Sequence, residues 1–222
     1  MSGAPWSQAN LALHVEDRPE DVHANRQRLA RALGLDVGRL VFAQQVHGAG
    51  VAVVDGPSDG PVAGIDALVT ATPGLALVMM AADCLPVLLA DLDAGVVAAA
   101  HAGRSGLVAG VLQEVLAAMR RLGATARGTT AVLGPAACGR CYELPAELAD
   151  AVERRVPGAR STTRAGTAAA DLTRGATGLL HAAGIERVRA VGGCTIEQPQ
   201  RFFSYRRDGL TGRHAGLVWL TG

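Results

Sequence analysis

Three residues in this chain have the types and placement to do chemistry together: His47, Cys84 and His101. Each closes an apolar run and is soon followed by Gly or Pro, in "QQVHG", "AADCLP" and "AAAHAGRSG". Two imidazoles and a thiolate form a three-ligand set for zinc, with copper as a competitor. A catalytic zinc commonly keeps three protein ligands and leaves its fourth position open. The same residues support a metal-free reading, in which Cys84 is a nucleophile and His101 or His47 its base. Asp83, beside Cys84, is placed to orient a ligand or to handle a proton. The spacings are 37 and 17 residues, so no local motif joins the three and only the fold can assemble them. Taken singly, each has a plainer reading as a satisfied core histidine or a small buried cysteine.

Two further stretches carry candidate groups. "CGRC", Cys138 to Cys141, is a C-x-x-C pair of the kind found in redox centres and half zinc sites. No second close cysteine pair follows it, only Cys194, so packing is the simpler expectation. "FFSYRRDGLTGRHAG" brings Arg206, Arg207 and Arg213 into one loop. A charged turn in water explains them, and so does an anion clamp, because the planar guanidinium suits phosphate and carboxylate.

The candidates must be held by a framework that the apolar pattern outlines. "RLVFAQQVH", residues 39 to 47, reads as a strand ended by Gly48. "GVAVVDG", "IDALVTATPG", "LALVMMAADC", "LPVLLADLDAG" and "VVAAAH" read as further short strands, the proline of "DCLP" marking a break. Helices are predicted over "PEDVHANRQRLARALGL", with Pro19 in the first turn, and over "PAELADAVERRVPG" and "DLTRGATGLLHAAGI", the last capped by Asp171 or Thr173. One continuous helix is predicted from just after Gly103 to Gly123, on a stripe from Leu107 to Leu122, with Gly103 and Gly106 turning the chain into it. "TTAVLGP" and "RVRAVGGCT" read as strands, and the tail as a polar loop between two short strands. This order predicts a mixed α+β (α/β) fold, one domain over residues 1–222, with central mixed β-sheet layers flanked by helices.

Composition narrows the function. The chain has 222 residues, 49% hydrophobic and 18% charged, enough to bury a sizeable core. The net charge is +1, and every basic residue is arginine without a basic stripe, so nucleic acid is not an expected partner. No apolar run reaches membrane-spanning length, and "MSGAPWSQAN" lacks the features of a secretory signal, so no membrane and a cytoplasmic place are expected. Four cysteines without an export signal argue against a disulfide framework. Neither a dinucleotide fingerprint nor a P-loop is present.

The segments "QVHG", "DALVT", "ADCLPVLLAD", "AAAHAGRSGL", "GPAACGRCYEL", "DL…GCT" and "FFSYRRDGLTGR" occur in this order. In that, the chain resembles the bacterial YfiH/YlmD type of laccase-domain protein, called the multicopper polyphenol oxidase family in older naming. The resemblance runs from about Asn10 to the end. It implies a zinc site at His47, Cys84 and His101, with copper as an alternative metal, in an α/β domain similar to certain toxin deamidases. It implies a purine nucleoside phosphorylase acting on adenosine, inosine, guanosine or methylthioadenosine, with adenosine deaminase activity. Purine nucleoside and phosphate would be its partners, and the chain a monomer or small homo-oligomer. Cys84 and Asp83 would then be catalytic, and Arg104, Arg206 and Arg207 would bind the substrate's phosphate. Three alternatives remain: a cysteine hydrolase acting on an amide, a copper phenol oxidase, for which six histidines are few, and a binding module without catalysis. The chain departs from the family in having Arg104-Ser105 where Trp-Arg is usual after "HAG". It also has Arg140 before Cys141 where a second adjacent cysteine is common, with Cys138 as an extra one.

Overall fold

A computed structural model describes residues 1–7 and 9–221. Six strands form the larger sheet: β2 (Val51–Val53), β3 (Ala67–Thr70), β5 (Leu85–Asp91), β6 (Val96–Ala102), β7 (Thr129–Leu133) and β10 (Arg187–Ala190), in the order β10-β7-β5-β6-β3-β2. The outer pairs are parallel and the inner ones antiparallel. A second sheet places β4 (Ala76–Ala81) between β1 (Leu40–Phe42), which runs parallel to it, and β11 (His214–Val218), which runs antiparallel. A two-stranded ribbon, β8 (Arg160–Thr162) and β9 (Ala168–Ala170), stands apart.

Strand alternation sorts the side chains into three cores. Ala98 and Ala100 of β6 face α3 (Val111–Arg121), α4 (Ala146–Arg155) and α5 (Leu172–Ala182), against Val115, Val152 and Leu180. Val97 and Ala99 face the other way and meet Leu77 and Met79 between the two sheets. The outer face of β4, with Val78 and Met80, packs under α1 (Pro19–Ala32). The fold is therefore layered helix, sheet, sheet, helix, a mixed α+β domain. Strands buried on both faces explain why β4 and β6 read as unbroken apolar runs. Among the described residues no helix is long and apolar enough to cross a membrane.

Several elements depart from the sequence reading. The predicted continuous helix is two, α2 (Arg104–Ala109) and α3, because Gly110 takes a left-handed conformation (φ 94°) between them. Apolar spacing continues through the break, so periodicity alone could not reveal it. The first strand stops at Phe42, short of His47, which lies in a loop at φ 60°. Pro86 does not break a strand: it sits inside β5, opposite His101. The tail holds the one-turn helix α6 (Tyr205–Asp208) and a single strand, β11. Asp171 caps α5 by accepting a bond from the Arg174 N–H.

His214, at the start of β11, is largely buried against the Phe202 ring, and neither ring nitrogen has a hydrogen-bond partner among the described residues. Burial, with Arg213 adding repulsion, lowers its pKa to about 4. The unfolded chain therefore binds this proton more readily, and stability rises with pH between about 4 and 6.5. Titrating wild type and His214→Leu by denaturant should show wild type losing up to about 3 kcal/mol more across that range. Equal acid sensitivity of the two would contradict this.

Candidate metal centre and cleft

The site is built where β6 ends, and its organiser is Asp66, just before β3. Asp66 is fully buried. Its carboxylate accepts the backbone N–H groups of Val46 (3.1 Å), His47 (2.9 Å) and Gly48 (2.7 Å), which clamps the His47 loop. The same carboxylate meets His101 Nδ1 at 2.7 Å. Burial pushes the Asp66 pKa upward, but the His101 bond and the loop N–H groups outweigh it and hold it below the usual carboxylate range. With Nδ1 committed to Asp66, His101 turns Nε2 toward Cys84. His101 lies on the strand face of Val97 and Ala99, at the end of β6 where the space between the sheets opens.

Donor atoms of His47, Cys84 and His101 all lie within 4.8 Å of one another. Cys84 Sγ is 3.7 Å from His47 Nε2, and the two imidazole rings meet edge to face at 4.7 Å between centroids. Gly103 makes room for this cluster. A Cβ there would stand 3.0 Å from Cys84 Sγ and 3.1 Å from the His47 ring. Gly103 has φ −68°, open to any residue, so its reason is space and not the sharp turn expected of it. Gly106 is similar, since a Cβ would lie 2.9 Å from the Gly48 carbonyl.

Burial alone would raise the Cys84 pKa, but bonds from His101 and His47 bring it down to about 6. Burial alone would lower that of His101, but Asp66 and the thiolate raise it to about 9. Without metal the pair is thus a thiolate and an imidazolium near neutral pH. Alkylation of Cys84 in chelated protein, followed by mass spectrometry at that residue, should reach half its maximal rate near pH 6, rising as the thiolate forms. A midpoint near 9 would show that the imidazoles do not hold the thiolate.

The donor chemistry fits zinc. There are two imidazoles, one thiolate, a carboxylate fixing a histidine from behind, and a small-residue cradle at Gly103. The cluster opens into a cleft of about 380 Å³ whose walls include His14, Gln45, Arg104, Tyr142, Arg206 and Arg213.

Placement of the other expected residues is mixed. Asp83 borders the cleft at φ 89°, but it bonds none of the three donors. Its carboxylate accepts Thr195 Oγ1 (2.6 Å) and the Arg206 N–H (2.7 Å), so it fastens the wall, and Asp66 takes the orienting role expected of it. Arg104 opens α2 on the cleft, with Ser105 beside it. Arg206 lines the cleft, its guanidinium 4.8 Å from the Tyr142 ring centre and bonded to the Glu143 carbonyl. Arg207 is a correction to the substrate-binding set: its guanidinium is spent on the carbonyls of Thr195 and Phe202 and on Asp208, and it is not part of the cleft wall. Sequence reasoning missed Asp66, Tyr142 and Tyr205. The quoted "DALVT" held a signal for the first, a carboxylate immediately before an apolar strand.

The sequence pattern of a family described as "Multi-copper polyphenol oxidoreductase laccase" matches residues 1–221. A Streptomyces griseus protein named purine nucleoside phosphorylase is 53% identical over 222 residues, covering 99% of this chain and 90% of that protein. One of the same name from Mycobacterium tuberculosis is 49% identical over 220 residues, covering 99% and 88%. The crystal structure of YlmD from Geobacillus stearothermophilus superposes with a TM-score of 0.93 at 31% identity, covering 100% of this chain and 88% of that one.

Proposed function

The chain belongs to this laccase-like family, and from that premise we propose that it is a purine nucleoside phosphorylase whose centre is His47, Cys84 and His101. One observation carries the reading: the three-donor cluster forms the floor of a cleft walled by arginines and tyrosines. Residues 1–222 are taken as one domain holding the whole site. Zinc held there by His47, Cys84 and His101 would supply a Lewis acid.

The residues around it divide the remaining work. Arg104, Arg206 and Arg213 give the cleft the positive charge that a phosphate dianion needs. Tyr142 and Tyr205 offer ring faces for a purine. In phosphorolysis a phosphate oxygen bonds to the ribose C1′ while the C1′–N9 bond breaks. The electron pair leaves with the purine, which takes a proton, and the products are free base and ribose 1-phosphate. Adenosine, inosine, guanosine and methylthioadenosine are the proposed substrates, and adenosine deamination by water at C6 is a second proposed activity of the same cleft.

The test is a nucleoside screen with and without phosphate. Free base released only with phosphate supports the reading, and no release from any purine nucleoside defeats it. The Cys84 thiolate beside two imidazoles favours one rival, the metal-free cysteine hydrolase. Chelation separates the two, because only the hydrolase keeps its activity in EDTA.

A further inference from the structure

The cysteines left without a role by the cleft gather at a second place. Cys138 and Cys141 lie on the loop after β7, and Cys194 and Glu197 on the loop after β10. The two loops are bridged in parallel at Ala136 and Cys194. The four side chains bring three sulfurs and one carboxylate oxygen within 4.8 Å of one another. Ligands about 2.3 Å from a tetrahedral zinc stand roughly 3.8 Å apart, so little movement would close the shell.

Local structure favours the same end. The Cys138 carbonyl accepts the N–H groups of both Cys141 and Tyr142 at 2.9 Å, and the Cys194 carbonyl accepts that of Gln198 at 3.1 Å. Each loop thus curls to present two donors three residues apart, C-x-x-C from one and C-x-x-E from the other. The second cysteine pair that the sequence lacked is replaced by Cys194 with Glu197. Cys141 Sγ is 3.0 Å from Glu197 Oε1, and the Cys138 N–H points at Cys194 Sγ from 3.4 Å. Arg164 meets Glu197 at 2.5 Å and Arg140 lies close enough to act on it, which offsets the negative charge of three thiolates and a carboxylate.

We propose that Cys138, Cys141, Cys194 and Glu197 form a second, structural zinc site that staples the loop carrying Tyr142, which lines the cleft, to the loop after β10, which lies behind the cleft wall. Each Zn–S bond forms as its thiol proton leaves to solvent, with no change of oxidation state. The staple would act on the cleft through neighbours. Tyr142 follows Cys141, and Thr195, next to Cys194, bonds Asp83. This proposal does not depend on what reaction the cleft performs.

The experiment is metal analysis in a Cys84→Ser background, which removes the first site. Purified Cys84→Ser protein should retain one zinc per chain, and cobalt substituted for it should show thiolate-to-metal charge-transfer absorption. Adding Cys138→Ser and Cys194→Ser should remove that metal. Adding Glu197→Gln alone, which leaves every thiol of the site in place, should weaken zinc tenfold or more in competition with a chromophoric chelator. Circular dichroism on the Glu197→Gln protein checks that the fold persists. A Cys84→Ser protein without zinc, zinc retained after both cysteine replacements, or intact masses showing a disulfide among Cys138, Cys141 and Cys194 would each overturn the proposal.

Discussion

Cys84→Ser is expected to cost at least about a hundredfold in kcat/KM for phosphate-dependent release of purine base, with the fold intact. The reason lies in what sulfur contributes here. Its thiolate is the one anionic donor of the triad, stable near neutral pH because His101 and His47 bond it. A serine hydroxyl in that place stays protonated and is a poor zinc ligand. The neighbouring imidazoles would keep their backbone anchors but face a neutral oxygen. The outcome should appear twice, as lost turnover and as the loss of one zinc per chain. Turnover within a few-fold of wild type would remove the triad from the chemistry. Lost turnover alone does not identify the metal's part, since a nucleophilic cysteine would fail too. Chelation distinguishes them, because a metal-free cysteine with either imidazole as its base keeps its turnover in EDTA while the metal centre loses it.

How much of this could be read in advance depends on the kind of force that places each residue. Strands β3 to β6 were legible because burial on both faces leaves an apolar run that few other elements produce, whereas their division between two sheets was not. The joining of His47, Cys84 and His101 followed from residue type and from the family pattern. The position of His47 did not. It was read as the end of a strand, and it is in fact held by a carboxylate 19 residues away, through backbone N–H groups that carry no trace in the side chains. Arg207 and Arg213 show the same limit. Both are arginines in one polar loop and both donate to backbone carbonyls, and only the packing decides that the second also lines the cleft while the first does not. Gly103 was correctly singled out but for the wrong cause, because crowding by a cysteine and a histidine from other segments is invisible in a chain of letters.

Asp66→Asn is the sharper test of how the centre is organised. This single buried carboxylate accepts from three consecutive backbone N–H groups and from His101 Nδ1. Asparagine has nearly the same shape but only one accepting oxygen. Whichever way it is turned, its NH₂ group must face donors, either the N–H of Val46 and Gly48 or those of His47 and His101. Leaving such buried donors unmet costs about 1–3 kcal/mol each, so the melting temperature should fall. A purely structural role would end there. The positioning role predicts two further changes. Zinc affinity at the triad should drop about 10- to 100-fold, because His101 loses the partner that fixes its ring and raises its basicity. In chelated protein the alkylation midpoint of Cys84 should move up from about 6, because an imidazolium without its carboxylate is a weaker support for the thiolate. Asp83→Asn supplies the contrast. Asp83 bonds Thr195 and Arg206 and none of the three donors, so its replacement should disturb substrate binding through the wall and leave the Cys84 midpoint in place. If Asp66→Asn lowers stability while zinc affinity and the midpoint both stay at wild-type values, Asp66 only holds the loop, and His101 is set in place by its strand alone.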